Sequence, residues 1–157
     1  NYKHFRCCYS SKYYFRGVKT IKVLIIHGPN MNLLGLRSAK IGAKVTLDRV
    51  NRALRKEVRN QGIDLKILQT HDEGKAVTFL HRNRNKAQGL IFSPGVWIHS
   101  GCVIKDTLDL IQIPYNTVCF EKQDSTLFPS ELCVCEENPI EAYIQCLKQL
   151  LNTINSN

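Results

Sequence analysis

No acidic residue occurs before Asp48 in this 157-residue chain. The first 47 residues carry Lys3, Arg6, Lys12, Arg16, Lys19, Lys22, Arg37, Lys40 and Lys44 without one anion, while the 13 cations that follow meet 13 acids. The formal net charge of +9 is therefore an N-terminal property and asks for an N-terminal explanation. Long apolar runs are missing as well: IKVLIIHGPN and GLIFSPGVWI are interrupted well before the ~18 residues that a membrane span needs. The seven cysteines form no CxxC pair and have no His at metal-ligand spacing. That excludes a zinc module, and a chain of this size has no need of a disulfide framework, so free thiols in a reducing compartment are expected. No metal and no cofactor is called for. With 43% hydrophobic residues the chain can bury one core, and wholesale disorder is excluded.

Residues 1–20 interleave Tyr2, Phe5, Tyr9, Tyr13, Tyr14 and Phe15 with five of the cations and follow neither a helical nor a strand period. They read as a basic aromatic extension, followed by a domain over 21–157. An Arg/Lys-rich, acid-free opening without an initial Met suits the remnant of an organellar targeting segment, or equally a truncated chain.

From Ile21 onward the pattern is regular. IKVLIIH (21–27) is a short apolar run that stops at Gly28-Pro29, as a buried parallel strand does. A polar loop to about Lys44 follows, then a helix capped by Thr46 with Leu47, Val50, Ala53, Leu54 and Val58 on one stripe. Further strands are expected at 63–70, 89–95, 113–120 and 132–135. Helices are expected at 73–87, with Ala76, Val77, Phe79 and Leu80 inward, at 100–111, and at 139–154 behind Pro139. Alternating strands and helices predict a five-stranded parallel sheet wrapped on both faces, with ligands at the strand C-termini. His27 to Asn30, Ser93 to Gly95 and Cys119 to Glu121 then share one rim.

The stretch IIHGPNMNLLGLR (25–37) resembles the opening of the type II 3-dehydroquinate dehydratases, whose first strand runs into a GPNLNLLGxR loop. The resemblance continues through TLDRVNRAL (46–54), LQTHDEG (68–74), FSPGVWIHSG (92–101) and VIKDTLDLIQIP (103–114) to the last helix. It implies a flavodoxin-like α/β sandwich, usually assembled as trimers into dodecamers. It also implies loss of water through an enolate from a cyclic hydroxy-ketone acid. A lid Tyr beside a lid Arg is the base, an Asn of the GPN motif orients a water, and a His at the end of strand four is the acid. A Tyr needs such a neighbouring cation, because an unperturbed phenol has a pKa near ~10.

The resemblance places the Asn at Asn30 and the lid Arg at Arg37, and aligns His99 with a substrate-binding His. It departs elsewhere: the Tyr column falls on Gly42, the strand-four His on Cys119 and the strand-three Asn on Ser93. The loop after strand four has no Arg. Tyr115 lies on a strand and not in the lid. These departures lead to the expectation of a catalytically inactive scaffold in which Asn30, Arg37, Ser93, His99 and Cys119 are vestigial and His27 and His99 are hydrogen-bonded groups. Asp72 and Glu73 are read as complements to a helix dipole.

The basic arm then suggests the role: a structural subunit of a large organellar assembly, a mitochondrial ribosome in the matrix first, in contact with rRNA or protein subunits. The contacts are expected at Lys3, Arg6, Lys12, Arg16, Lys19, Lys22, Tyr9, Tyr13, Tyr14 and Phe15, with Arg82, Arg84 and Lys86 as a second patch. A mitochondrial membrane-protein complex is the alternative scaffold, and a residual or repurposed dehydratase using His99, Arg37 and Cys119 the enzymatic one. The altered lid and loop speak against a retained homo-dodecamer.

Overall fold

The computed structural model describes residues 20–42, 44–120, 126–128, 132–134 and 138–156. The basic aromatic extension expected over 1–20 therefore lies outside the described residues apart from Thr20, as do residues 121–125.

Strands β1 (Ile21–His27), β2 (Ile63–Gln69), β3 (Gly89–Ser93), β4 (Tyr115–Cys119) and a three-residue β5 (Leu132–Val134) lie in the order β2-β1-β3-β4-β5. Every pairing is parallel. β1 and β3 are buried on both faces, which is why their sequences read as unbroken Val, Leu, Ile and Phe and not as alternation. The parallel α/β class expected from the alternating pattern is what forms.

Helices α2 (Leu47–Glu57) and α6 (Pro139–Asn155) cover one face, where Val23, Ile25 and Ile91 meet Val50, Leu54, Leu147 and Leu150. Helices α3 (Glu73–Asn83) and α5 (Cys102–Ile111) cover the other, where Leu24, Ile26, Leu90 and Phe92 meet Ala76, Leu80, Ile104 and Leu108. Leu54 is fully buried, so truncating it to Ala is worth about 2–5 kcal/mol. α2 starts where Thr46 Oγ1 accepts from the Arg49 N–H, and α6 where Asn138 Oδ1 accepts from the Ile140 N–H ahead of a Pro at the first position.

Three local expectations are corrected. The segment expected as a loop from 28 to 44 winds into a 3-10 turn at Met31–Leu33 and α1 (Leu34–Ala39), which buries Met31 and Leu34 against the core. The helix expected to reach residue 87 ends at Asn83, whose side chain donates to the Phe79 carbonyl at 2.7 Å and competes with the helical ladder. The helix expected over 100–111 is two pieces, α4 (Trp97–Ser100) and α5, parted at Gly101, where a Cβ would stand 2.9 Å from the Trp97 carbonyl oxygen.

The chain leaves β1 toward β2 on one side and then crosses to β3 on the other, so the strand order reverses between β1 and β3. In such sheets the crevice beyond the C-terminal ends of the two diverging strands is where ligands sit. His27 and Ser93, the last residues of β1 and β3, are register partners at that point.

Candidate active site

One polar cluster lies at this switch point and a second beside it on the same rim, beyond the ends of β3 and β4. The inner one is dry. His27 is fully buried, and its Nε2 donates to Asn51 Oδ1 on α2 at 2.9 Å. With the proton on Nε2, Nδ1 is an acceptor, and the Tyr143 hydroxyl on α6 donates to it at 3.3 Å. Ser93 Oγ then donates to the Tyr143 oxygen at 2.5 Å. Burial pushes the His27 pKa down from 6.5 to about 4, against the opposing pull of the Asn51 hydrogen bond. A neutral imidazole is what this chain of donors requires.

Sequence reasoning named His27 and Ser93 but missed Asn51 and Tyr143. A signal existed: Tyr143 stands in the apolar stripe Tyr143, Cys146, Leu147 and Leu150 of α6, and a buried phenol needs a partner for its hydroxyl.

The outer cluster is open to solvent. Arg37 from α1, His99 from α4 and Cys119 from the end of β4 line one cavity of about 280 Å³, together with Gly95, Val96 and Phe120. The Arg37 guanidinium lies 5.4 Å from the centre of the Phe120 ring, which supports its approach from the exposed face of α1. Cys119 is 7% exposed and His99 is solvent-exposed, so the cavity runs from a protected floor to an open mouth. The backbone makes this rim compact. Gly28 N–H donates to the Ser93 carbonyl at 2.8 Å, and a Cβ on Gly28 would stand 2.6 Å from the Pro94 carbonyl oxygen.

Of the five site positions expected from sequence, three converge here and two do not. Ser93 is fully buried and turned to Tyr143, and Asn30 adopts a left-handed conformation (φ 63°) with its N–H donating to His71 Nδ1 at 3.2 Å. Neither lines the cavity. Gly42 sits in the turn after α1 at φ 87°, with no atom within 4 Å of where a Cβ would be.

Asp72 and Glu73 prove to serve two different helices. Asp72 Oδ1 caps α3 through the Lys75 N–H at 3.1 Å. Glu73 Oε1 accepts from the Val103 and Ile104 N–H groups at 3.2 and 3.3 Å, and so caps α5, which has no side-chain cap or acid in its own first turn.

The cations expected to contact a macromolecule lie elsewhere. Lys22 is a β1 residue 3.6 Å from Asp64, Arg82 ends α3 away from the rim, and Arg84 donates to the His81 carbonyl at 2.9 Å. Lys86 is exposed just beyond α3. Lys3, Arg6, Tyr9, Lys12, Tyr13, Tyr14, Phe15, Arg16 and Lys19 lie outside the described residues.

The family profile of class II dehydroquinases matches residues 21–122. A 3-dehydroquinate dehydratase of Trichodesmium erythraeum is 39% identical over 92 residues, 59% of this chain and 61% of that protein. The 3-dehydroquinate dehydratase of Roseiflexus castenholzii is 36% identical over 94 residues, 60% of each chain. The chain thus spans about three-fifths of the length of these curated relatives. In three dimensions it resembles the type II dehydroquinase of Butyrivibrio crossotus, with a TM-score of 0.73 and 20% identity over 83% of this chain and 97% of that one. That of Propionibacterium acnes follows with a TM-score of 0.71 at 20% identity, over 83% of this chain and 96% of that one.

These similarities run to enzymes, and they overturn the expectation of a catalytically inactive structural subunit of a mitochondrial ribosome or membrane complex, with its RNA-binding role. The physical reason is local. The changes at Gly42 and Cys119 remove a phenol and an imidazole, yet the rim still gathers a guanidinium, an imidazole and a thiol around one cavity.

Proposed function

Because the chain belongs to the class II dehydroquinase family, we propose that it eliminates water from 3-dehydroquinate, or from a closely similar cyclic β-hydroxy ketone bearing a carboxylate. The observation that carries this is the convergence of Arg37, His99 and Cys119 on a single cavity at the C-terminal rim of the sheet, beyond the ends of β3 and β4.

The chemistry needs a proton acceptor, a cation and a proton donor. His99, whose neutral ring nitrogen can accept a proton, removes the hydrogen beside the ketone. The electron pair moves to the carbonyl oxygen, and Arg37 stabilises the resulting enolate by its fixed charge. Collapse of the enolate breaks the bond to the β-hydroxyl. The departing oxygen takes the proton of the Cys119 thiol and leaves as water. The proton on His99 then returns through solvent to the Cys119 thiolate, and the enzyme is restored. His99 replaces the lid phenol as base, and Cys119 replaces the strand-four imidazole as acid.

The test is the absorbance of the conjugated enone product on addition of 3-dehydroquinate. Turnover should scale with protein concentration, and His99→Ala and Cys119→Ser should each lower kcat by about 10²–10⁴. A folded protein that gives no enone above the buffer rate would overturn the proposal.

A further inference from the structure

A second cavity, of about 680 Å³, runs along the opposite side of the molecule from α2 and α6, between α3 and the edge strand β2. Lys75, Thr78, Phe79 and Arg82 follow each other at i, i+3, i+4 and i+7, so they form one stripe of α3, beside the core stripe of Ala76, Leu80 and Asn83. Lys66 and Leu68 share one face of β2 and form the opposite wall. Phe79, expected from sequence on the inward side of its helix, packs half-buried against the edge of the core and also forms part of this wall.

The groove has an organised end. Asn83 is 2% exposed, donates to the Phe79 carbonyl at 2.7 Å, and with Oδ1 accepts from Lys66 Nζ at 3.1 Å. Lys66 Nζ also lies 5.6 Å from the centre of the Phe79 ring. Its ammonium is thus held at the Arg82 end, and at the other end stands Lys75, seven residues and about 10 Å of helix away. Between the two lie Leu68, Phe79 and Thr78, which offer an apolar floor.

Among the described residues none of Lys66, Lys75 and Arg82 takes part in an ion pair. The single acid of the lining, Asp72, has one oxygen on the Lys75 N–H. Three cations against one anion leave two positive charges, spread over both ends of a groove with an apolar middle.

We propose that this groove is a binding site, separate from the rim cavity, for a rod-shaped dianion: an apolar body with an anionic group at each end. One anionic group meets Lys66 and Arg82, the other meets Lys75, and the body lies on Phe79 and Leu68. A phosphate ester of an acid and a dicarboxylate share this chemistry.

Calorimetric titration of the whole chain with dicarboxylates of increasing length tests it, using succinate, suberate and sebacate, with phenyl phosphate as the one-ended probe. Suberate, whose carboxylates stand about 9 Å apart in an extended chain of 1.5 Å bonds, should bind with a Kd of about 1 mM or tighter. Succinate should bind about tenfold more weakly because it reaches only one end. Arg82→Gln and Lys75→Gln should each weaken suberate about three- to tenfold, and Arg84→Gln, which lies outside the groove, should leave it unchanged. Asp72→Asn keeps a good helix cap while removing the one repelling charge, so it should tighten binding about two- to threefold. Phenyl phosphate should respond to Arg82→Gln and ignore Lys75→Gln. Equal affinity for succinate and suberate, or equal loss in the Arg82 and Arg84 variants, would reduce the groove to diffuse positive charge and overturn the site. None of these outcomes depends on turnover at the rim.

Discussion

His27 and His99 stand on the same rim of the same sheet and do opposite things. His27 has both ring nitrogens engaged by Asn51 and Tyr143, is fully buried, and is held neutral by its surroundings. His99 faces a cavity shared with Arg37 and Cys119 and is open to solvent. The inner cluster is a fixed hydrogen-bonded chain that fastens α2 and α6 to the ends of β1 and β3. The outer one gathers groups that can exchange protons with a ligand. Proximity to a switch point therefore does not by itself make a polar residue part of the chemistry. What separates the two is whether the polar groups are closed off in the interior or line an opening.

The contrast can be broken in order of effect. Loss of the outer imidazole should be largest and purely kinetic: His99→Ala lowers kcat about 10²–10⁴-fold while thermal unfolding moves little, because the side chain is exposed. The inner imidazole should act on stability alone, through pH. Its folded pKa of about 4 lies below the ordinary 6.5, so between these values the unfolded chain holds a proton that the native one does not. Stability is then full above pH 6.5, falls as the pH drops, and is lower by about 3 kcal/mol below pH 4. His27→Gln should remove that component from denaturant titrations run across pH 4–7, and an unchanged slope would show that the ring is not held neutral by the fold.

Tyr143→Phe comes next. It keeps the ring but takes the hydroxyl from both Ser93 Oγ and His27 Nδ1, and unsatisfied buried groups should lower stability by about 1–3 kcal/mol in chemical denaturation. kcat should stay within a few-fold, and a drop comparable with that of His99→Ala would merge the two clusters into one machine. The smallest effect belongs to the lid turn. Gly42→Ala meets no neighbouring atom, so only its positive φ matters, at about 1 kcal/mol.

Much of this was legible in the chain itself. The apolar runs at 21–27 and 89–95 and the alternation of strands with helices gave away the class of fold and the rim that ends in Ser93 and Cys119, while Arg37 and His99 were picked out by the family resemblance. What stayed hidden depends on long-range packing. Tyr143 and His27 are 116 positions apart, and no local pattern pairs them. The inward turn of Ser93 follows from that same hydroxyl, so its side chain leaves the cavity its position suggests. The half-burial of Phe79 was hidden for a related reason: its helical phase turns it inward, as it packs, but β2 beneath it is an edge strand and leaves one side of the ring open. The inactive-scaffold expectation failed because it set the residues lost from two positions above the thiol and imidazole that line one cavity with Arg37.

The Glu73 carboxylate gives the molecule a connected opening mode. It sits at the start of α3 and holds the second and third amides of α5, so neither helix can fray from its beginning without releasing the other. Val103 is 57% exposed, and an amide at such a helix start ordinarily exchanges its hydrogen with solvent almost at once. Here the Val103 and Ile104 amides should exchange slowly, at a rate set by the unfastening of α3, and Glu73→Gln should speed both together. α4, which carries His99, is joined to α5 through Gly101, so the same event would loosen the mouth of the rim cavity.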